Sequence, residues 1–406
     1  FRSTSSFFYP SVGLSGVISE MIQMPSFIDY MKVRGSFSSV GMPYPRNLTS
    51  PTYEYNEATQ SWKPKTHYPI GDLKPERTDS WEVGLDMKLF KDFNLGLSWY
   101  LANTFNQTFD PQISVSSGYT TIYLQTGYVR NTGLELSLGY GHTWNNNFRW
   151  DSNFTLSHNK NKIKELVRDY VHPETGELIN KDRLDVGGLG KARFILKEGG
   201  TLGDLYTQSD LKRDDNGMVD IDPTGIVAIE NNLPDIKLGS VFPKANLAWS
   251  NHFSWKGISL SALFTARIGG IVYSATEAAM DQYGVSERSA LARDNGGVLV
   301  NNRTLVDAQN YYTTIGSESG LPQYYTYNAT NVRLQEASIG YLIPRKWLGN
   351  VCDIQVSVIG RNLWMIYNKA PFDPESVATT DNYYQGIDYF MLPSTRNIGF
   401  NVKINF

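Results

Sequence analysis

The feature that most constrains the fold is a strict alternation of apolar and polar side chains, which recurs along the chain. Residues 397–405 alternate in this way at every position. Successive side chains of a β-strand point to opposite faces, so a period of two predicts strands with one apolar and one polar face. Eleven segments carry the pattern, approximately 7–20, 31–38, 81–89, 93–101, 134–140, 148–156, 245–249, 258–266, 337–343, 354–358 and 395–406.

The connections between these segments alternate between short and long. Short ones have about 2–9 residues and long ones about 20–75, and membrane β-barrels show this asymmetry. A tilted strand of roughly 11 residues also spans the apolar band of an outer membrane. The pattern predicts an all-β fold, a transmembrane antiparallel barrel. Eleven strands leave two free edges, which are costly in a bilayer, so we expect pairing with strands outside this chain.

Composition excludes several other classes of protein. The net charge of −3 leaves no basic field for nucleic acid. Cys352 is the single cysteine, which excludes an internal disulfide and a thiolate metal cluster. No apolar run approaches the ~18 residues of a membrane helix. The chain opens without an initiator methionine or a leader, so we expect it to be part of a longer protein.

The long connections predict some structure of their own. Residues 163–239 are polar and glycine-rich, and we expect additional hairpins there. Residues Thr276 to Ala292 predict one short helix. Six tryptophans are expected near strand ends, where interfacial aromatic residues of membrane proteins lie: Trp81, Trp99, Trp150, Trp249, Trp255 and Trp347.

The sequence carries no recognisable catalytic or metal-binding motif. The five histidines lack metal-ligand spacing, and neither a hydrolase elbow nor a phosphate loop occurs. Asp214, Asp220 and Asp222 suggest a calcium loop, but Lys212 and Pro223 occupy two of its ligand positions, which favours an exposed turn. We therefore predict that the chain is not an enzyme and has no catalytic residues, no metal site and no cofactor.

Ordered short motifs along nearly the whole chain resemble the SusC/RagA family of TonB-dependent transporters. Among them are Leu73-Lys74-Pro75-Glu76, Trp81-Glu82-Val83-Gly84-Leu85-Asp86, Asn131-Thr132-Gly133-Leu134 and Phe372-Asp373-Pro374-Glu375. The resemblance implies a 22-stranded outer-membrane barrel with an amino-terminal plug, which imports glycans or peptides beneath a SusD-like lipoprotein and is powered by TonB. Residues 1–406 would form its second half, without the plug or the first half-barrel. Phe406 resembles the signal that the barrel-assembly machinery reads.

Candidate binding residues come from the loops and from the polar strand faces. Tyrosines that could stack on sugars or peptides are Tyr119, Tyr123, Tyr283, Tyr311, Tyr312, Tyr383 and Tyr384, with Tyr324 and Tyr325 in the same loops. The alternative is that they contact the lipoprotein or pack loop on loop. Charged residues expected to face the lumen are Glu82, Asp86, Lys88, Glu135, Arg267 and Lys403. Two other functions stay open, a passive porin-like channel and a secreted β-rich glycan-binding module.

Overall fold

The alternating residues form one large antiparallel sheet. The computed structural model describes residues 8–43, 53–63, 66–68, 75–110, 113, 115–171, 176, 178–317, 319–349, 351–379 and 384–405. Within them, eleven strands pair in chain order, which confirms the predicted all-β class and strand number. The strands are Ser11–Val17, Ile28–Met42, Glu76–Leu89, Phe93–Phe109, Leu124–Thr143, Arg149–Glu165, Ala245–Trp255, Ile258–Ile268, Asn331–Ile343, Asp353–Asn368 and Asn397–Asn405.

Short and long connections lie at opposite ends of this sheet, as predicted. The short ones are residues 18–27, 90–92, 144–148, 256–257 and 344–352, and the long ones are 43–75, 110–123, 166–244, 269–330 and 369–396. The tightest is Lys256-Gly257, where both residues have positive φ angles, 48° and 88°. This backbone geometry matches the twist of the flanking strands in a two-residue hairpin.

The apolar face of the sheet is exposed along its whole width. Val358 pairs with Ile339 on one side and with Phe400 on the other, and 50% of Val358 and 81% of Phe400 remain accessible. No second layer covers this face in the described part of the chain. Water would disfavour so large an apolar surface, whereas the hydrocarbon of a bilayer would not.

Several strands are longer than the sequence pattern indicates. Leu124–Thr143 has 20 residues and Phe93–Phe109 has 17, whereas about 11 suffice to cross the apolar band. The surplus extends beyond the band on the side of the long connections. The prediction that the six tryptophans lie near strand ends is wrong in part. Trp150 and Trp255 lie at strand ends and Trp347 in a short connection, but the other three lie inside strands.

The long connections contain additional sheets, which confirms the predicted hairpins. Arg183–Leu189, Ala192–Lys197, Asp204–Leu211 and Ile229–Ser240 form a four-stranded sheet. Ile271–Ser274 lies between Thr326–Asn328 and Ile387–Asp388. Two-stranded pairs are Glu54–Asn56 with Ser61–Lys63, Val167–Val171 with Leu178–Lys181, and Val298–Val300 with Thr304–Val306.

The prediction of a single helix from Thr276 to Ala292 is wrong. The segment forms two helices, Ala275–Gln282 and Glu287–Asp294. Gly284 adopts a positive φ of 67°, and the Ser286 side chain accepts a hydrogen bond from Ser289 N, which caps the second helix. The other helical segments are Ile18–Met21, Ala308–Ile315 and the 3₁₀ turns Val115–Ser117, Pro322–Tyr325 and Arg345–Leu348. None of the described helices could cross a membrane.

The hydrophobic core lies in the long connections rather than in the sheet. Its buried side chains, such as Phe194, Leu205 and Tyr325, come from those connections or from the adjoining strand ends, as do Phe109 and Ile163. Connections 110–123, 166–244, 269–330 and 369–396 contribute to this common core, and we call them the loop body. Among the described residues, the dry interior therefore lies at the end of the sheet that carries the long connections.

Candidate functional site

The polar face of the sheet presents charged residues in register. Arg34, Gly84, Ser98 and Glu135 are neighbours across four strands, and the same row continues through Ser157 and Asn246 to Arg267. The strand period places Glu82, Asp86 and Lys88 on this face. Lys403 lies on it too, opposite Gln355 on the neighbouring strand. All six charged residues that we expected in the lumen therefore share one face of the sheet.

Arg34 is the centre of an ion-pair network on this face. Its Nη1 lies 2.8 Å from Asp86 Oδ2, and its Nη2 lies 3.3 Å from Glu82 Oε1. The guanidinium crosses directly over Gly84, where a Cβ would come within 2.4 Å of Arg34 Cζ. Arg34 was not among the site residues predicted from the sequence. Its position on the polar face of a predicted strand could have suggested it. Its proximity to Glu82 and Asp86, however, is known only once the register between the two paired strands is known.

This face forms an open concavity of about 710 Å³, called the cavity below. Small polar residues, among them Ser137, Thr155 and Asn246, line it between Glu135 and Arg267. Glu375, from the last long connection, reaches into the same cavity. The volume is within the usual range for ligand sites, so this cavity is the main candidate site on the sheet. Lys88 lines a separate concavity nearer the short connections.

A second charged cluster fixes the last long connection to the wall of the sheet. Arg333 is 6% exposed and donates from Nη2 and Nη1 to the two oxygens of Asp373 at 2.8 and 3.1 Å. Arg333 also donates to Asn331 Oδ1 at 3.2 Å. Glu375 Oε2 lies 3.3 Å from Arg333 Nη2. In the sequence, the motif at 372–375 contributed only to the family resemblance. Its role in anchoring the loop is apparent only in the folded protein, where strand Asn331–Ile343 lies beside it.

Tyr119 and Tyr123 lie in an aromatic group at the start of the loop body. Tyr123 stacks on His67 with ring centres 4.7 Å apart and planes nearly parallel, and Tyr119 meets Tyr68 edge to face at 5.3 Å. These contacts occupy part of each ring. Ligand binding by either tyrosine stays a prediction.

Tyr311 and Tyr312 meet edge to face at 5.4 Å and pack against the buried core of the loop body. Burial raises the pKa of Tyr311 to about 12, so its hydroxyl is neutral at physiological pH. Tyr283 is 76% exposed at the end of its helix, whereas Tyr384 lies against Phe194. Tyr383 and Phe406 are outside the described residues. The described tyrosine candidates therefore lie in separate parts of the loop body.

The acidic segment that suggested a calcium loop forms two consecutive turns. Asp214 Oδ1 accepts hydrogen bonds from Asn216 N and Met218 N, both at 2.9 Å. Asp222 Oδ1 accepts in the same way from the backbone N–H groups of Thr224 and Ile226. Each carboxylate thus closes its own turn, a common use of aspartate.

Asp235, on strand Ile229–Ser240, forms ion pairs with residues of two other strands of the four-stranded sheet. Arg183 Nε lies 2.7 Å and Lys197 Nζ 2.9 Å from Asp235 Oδ2. The hydrogen bond from Arg183, opposed by burial and assisted by Lys197, lowers the pKa of Asp235 to about 2. Because the folded protein binds this proton less readily than the unfolded chain, the stabilisation is present above pH 4 and disappears as the pH falls through about 2.

We expect acidification from pH 5 to pH 2 to destabilise the four-stranded sheet by about 1–2 kcal/mol. The unscreened linkage value would be roughly 2 kcal/mol, but Arg183 and Lys197 are each more than a third exposed, and solvent screens the pair. Hydrogen exchange of residues 183–240 across this pH range would measure the change. In the Asp235→Asn variant, the loss of stability between pH 5 and pH 2 should be smaller by this ~1–2 kcal/mol. An unchanged pH profile would contradict the assignment of this loss to Asp235.

The fold defines an outer-membrane β-barrel protein, with an apolar outer face, a charged inner face and long connections on one side. Comparison with known proteins specifies the class. The family model described as "TonB dependent receptor-like, beta-barrel" matches residues 1–223. The chain belongs to this family of TonB-dependent receptor barrels, and its location is the outer membrane. The predicted transmembrane barrel and the resemblance to TonB-dependent receptors are confirmed.

Curated relatives from Formosa agariphila are also named TonB-dependent receptors. TonB-dependent receptor P3 is 25% identical over 83% of this chain and 35% of its own length. TonB-dependent receptor P26 is 24% identical over 98% of this chain and 42% of its own length. The chain thus spans about two fifths or less of these relatives. Both are named as receptors rather than enzymes.

Solved structures show the same fold. The structure of the RagAB peptide transporter superposes with a TM-score of 0.70 at 18% identity, over 98% of this chain and 43% of that one. The RagAB importer in its "closed-closed" state gives a TM-score of 0.72 over the same shares. At 18% sequence identity, the similarity between this chain and these structures is a similarity of fold alone.

Proposed function

We propose that the chain is part of a TonB-dependent importer that moves oligosaccharides or oligopeptides across the outer membrane with a SusD-like surface lipoprotein. The observation that carries the proposal is the combination of an uncovered apolar outer face with a charged inner cavity, next to a packed loop body. Such a wall can bound an aqueous path through lipid. The fold shared with a peptide transporter supports the same assignment.

We further propose that residues 1–406 form the second half of a 22-stranded barrel. Ser11–Val17 and Asn397–Asn405 are the outermost strands, each paired on one side within the described residues. An open edge in hydrocarbon leaves backbone groups without partners at several kcal/mol each. The length of the curated relatives supports this reading, because they extend well beyond this chain. Coupling to TonB would belong to the other part of the protein.

A passive porin and a secreted glycan-binding module are the alternatives. The exposed apolar face disfavours the module, because such a face in a water-soluble protein would be covered. A porin would share the outer face and differs in its energy requirement. Dependence of uptake on TonB therefore separates the two remaining functions.

Uptake by cells that produce the full-length receptor tests the proposal. Labelled oligopeptides and oligosaccharides would be supplied to cells with and without functional TonB, and to cells without the receptor. We expect uptake of one ligand class to fall, on loss of TonB, to the level of cells lacking the receptor. Uptake that persists without TonB would favour the porin. Co-purification of a surface lipoprotein would support the proposed partner.

A further inference from the structure

The fifth and sixth strands of the large sheet carry a group of cations on their outer surface. Val129 and Ile163 face each other across these strands and are only 1% and 0% exposed, within the core of the loop body. Neighbouring side chains of a strand point to opposite faces, so Arg130, Lys162 and Lys164 point away from that core. These three residues therefore lie on the face of the sheet that is turned outward.

The same outward face is apolar nearer the short connections. Phe154 and Leu156 lie on it at the period of two, and Lys160 is the first lysine beyond them. Counted from the start of the sixth strand, a crossing of ~11 residues ends close to Lys160. Lys162 and Lys164 follow at intervals of roughly 6.6 Å along the strand. The lysines therefore begin at the border of the hydrocarbon and extend into the region of the lipid headgroups.

We call these cations the outer basic cluster, and its members are Arg130, Lys160, Lys162 and Lys164. Lys164 is repelled by the charges of the other three, and Arg130 directly faces Lys162 across the two strands. Within the described residues, no carboxylate forms an ion pair with any member. Glu165, at the end of the sixth strand, lies 3.9 Å from Arg168 Nε instead. The positive charge of the cluster is therefore unbalanced.

Neutral groups hold Arg130 in place. Its Nε donates to Asn103 Oδ1 at 2.8 Å, and its Nη2 donates to Tyr128 Oη. Tyr128 Oη in turn donates to Asn103 Oδ1 at 3.1 Å. Because both partners are uncharged, they orient the guanidinium without neutralising it. A guanidinium that is already oriented loses less conformational entropy when it binds an anion.

We propose that the outer basic cluster binds the phosphate groups of phosphorylated lipids in the outer leaflet of the membrane. The long connections of outer-membrane barrels lie on the cell exterior, so the cluster meets that leaflet. Each Lys or Arg near an anionic membrane surface strengthens binding about fivefold. A lipid also places its acyl chains against the apolar face beside the cluster, which a soluble phosphate cannot do. The inference depends on the outer-membrane location and not on the proposed import function.

Binding of lipid A to the purified full-length receptor in a neutral detergent tests this site. Lipid A is the phosphorylated glycolipid of the outer leaflet, and its dephosphorylated form is the matched ligand. Native mass spectrometry in ammonium acetate of increasing concentration would count the bound lipids. We expect the phosphorylated form to bind roughly tenfold tighter or more at low salt. The preference should decrease as salt screens the exposed charges, and inorganic phosphate at the same concentration should not displace the lipid.

Two double variants separate the cluster from a general effect of charge. Lys160→Gln combined with Lys162→Gln removes two of the four cations, so it should weaken binding of lipid A about 25-fold. Binding of the dephosphorylated form should stay unchanged. Lys88→Gln combined with Lys403→Gln is the matched control, because it removes the same charge from the polar face of the sheet. It should leave the preference for lipid A unchanged.

Each alternative outcome would overturn the inference and leave the proposed import function standing. Equal binding of the two forms of lipid A would show that phosphate is not recognised, and the salt series on the unmodified receptor tests this without any variant. Equal losses in the two double variants would place the effect outside the cluster. Displacement of lipid A by inorganic phosphate would indicate a site for free anions. An unchanged lipid preference with loss of a co-purifying lipoprotein would assign the cluster to a protein contact.

Discussion

Replacing Val358 by arginine is expected to destabilise the barrel by about 2–4 kcal/mol, the cost of arginine at the lipid-facing midplane of a membrane barrel. Val358 is half exposed on the apolar face and lies between Ile339 and Phe400. It is also the sixth residue of Asp353–Asn368, near the middle of an ~11-residue crossing. The free energy of unfolding of the full-length receptor in lipid vesicles, followed by heat-modifiable gel migration, would measure the loss.

Ser357→Arg is the matched control for this variant. Ser357 is adjacent, lies at nearly the same depth and points to the polar face, opposite Gly340 and Asn401. Its replacement should change stability by less than about 1 kcal/mol, since a lumen-facing charge stays in contact with water. Equal losses for the two variants would show that lipid does not contact the apolar face, and the barrel orientation argued here would be wrong.

Replacing Asp281 by alanine is expected to cost about 3–5 kcal/mol of local stability in the loop body, as when one partner of a buried ion pair is removed. The Asp281 side chain has no exposed surface, and its Oδ2 lies 2.7 Å from Arg288 Nε, a contact whose angle makes it an ion pair rather than a hydrogen bond. Tyr325 Oη donates to the same oxygen at 2.8 Å, and Ser286 Oγ donates to Oδ1. Alanine would leave Tyr325 Oη without its acceptor and Arg288 without its nearest carboxylate, whereas Ser286 Oγ would keep its contact with Ser289 Oγ at 3.0 Å.

Arg288 has one other carboxylate nearby, Glu277, whose Oε2 lies 3.8 Å from Arg288 Nη2, and its guanidinium lies over the ring of Tyr325 at 4.6 Å. Hydrogen exchange of residues 275–330 in the full-length receptor would report the local opening. Asp294→Ala serves as control, since Asp294 is exposed at the end of the neighbouring helix and its loss should stay within about 0.5 kcal/mol. Similar exchange in both variants would mean that the Asp281 cluster does not hold the loop body together.

Some of this architecture was predictable because it depends on the order of residues alone. The period of two predicts which side chains share a face, and antiparallel neighbours joined by short turns leave little choice of topology. Strand number, strand order and the separation of short from long connections therefore followed from the pattern. Strand ends did not, since pairing with a neighbour extends Leu124–Thr143 well past its alternating segment.

The candidate site was predictable only in part. The period of two is sufficient to place Glu82 and Asp86 on the polar face. That they pair with Arg34 follows only from the register of the neighbouring strand. Arg333 and Glu375 are 42 positions apart in the sequence, and nothing local connects them. The break between the two loop helices arises from Gly284 and the Ser286 cap, which oppose the helical pattern around them.

The sequence by itself determined that this chain forms eleven two-faced strands with long connections at one end. That information is local, because each strand's side chains alternate whatever lies beside it. Tertiary structure alone decided where the dry core lies and which charges meet. Burial and ion pairing depend on distances between remote segments, so the loop body's core and the cluster of Arg333, Asp373 and Glu375 appear only when the sheet is assembled.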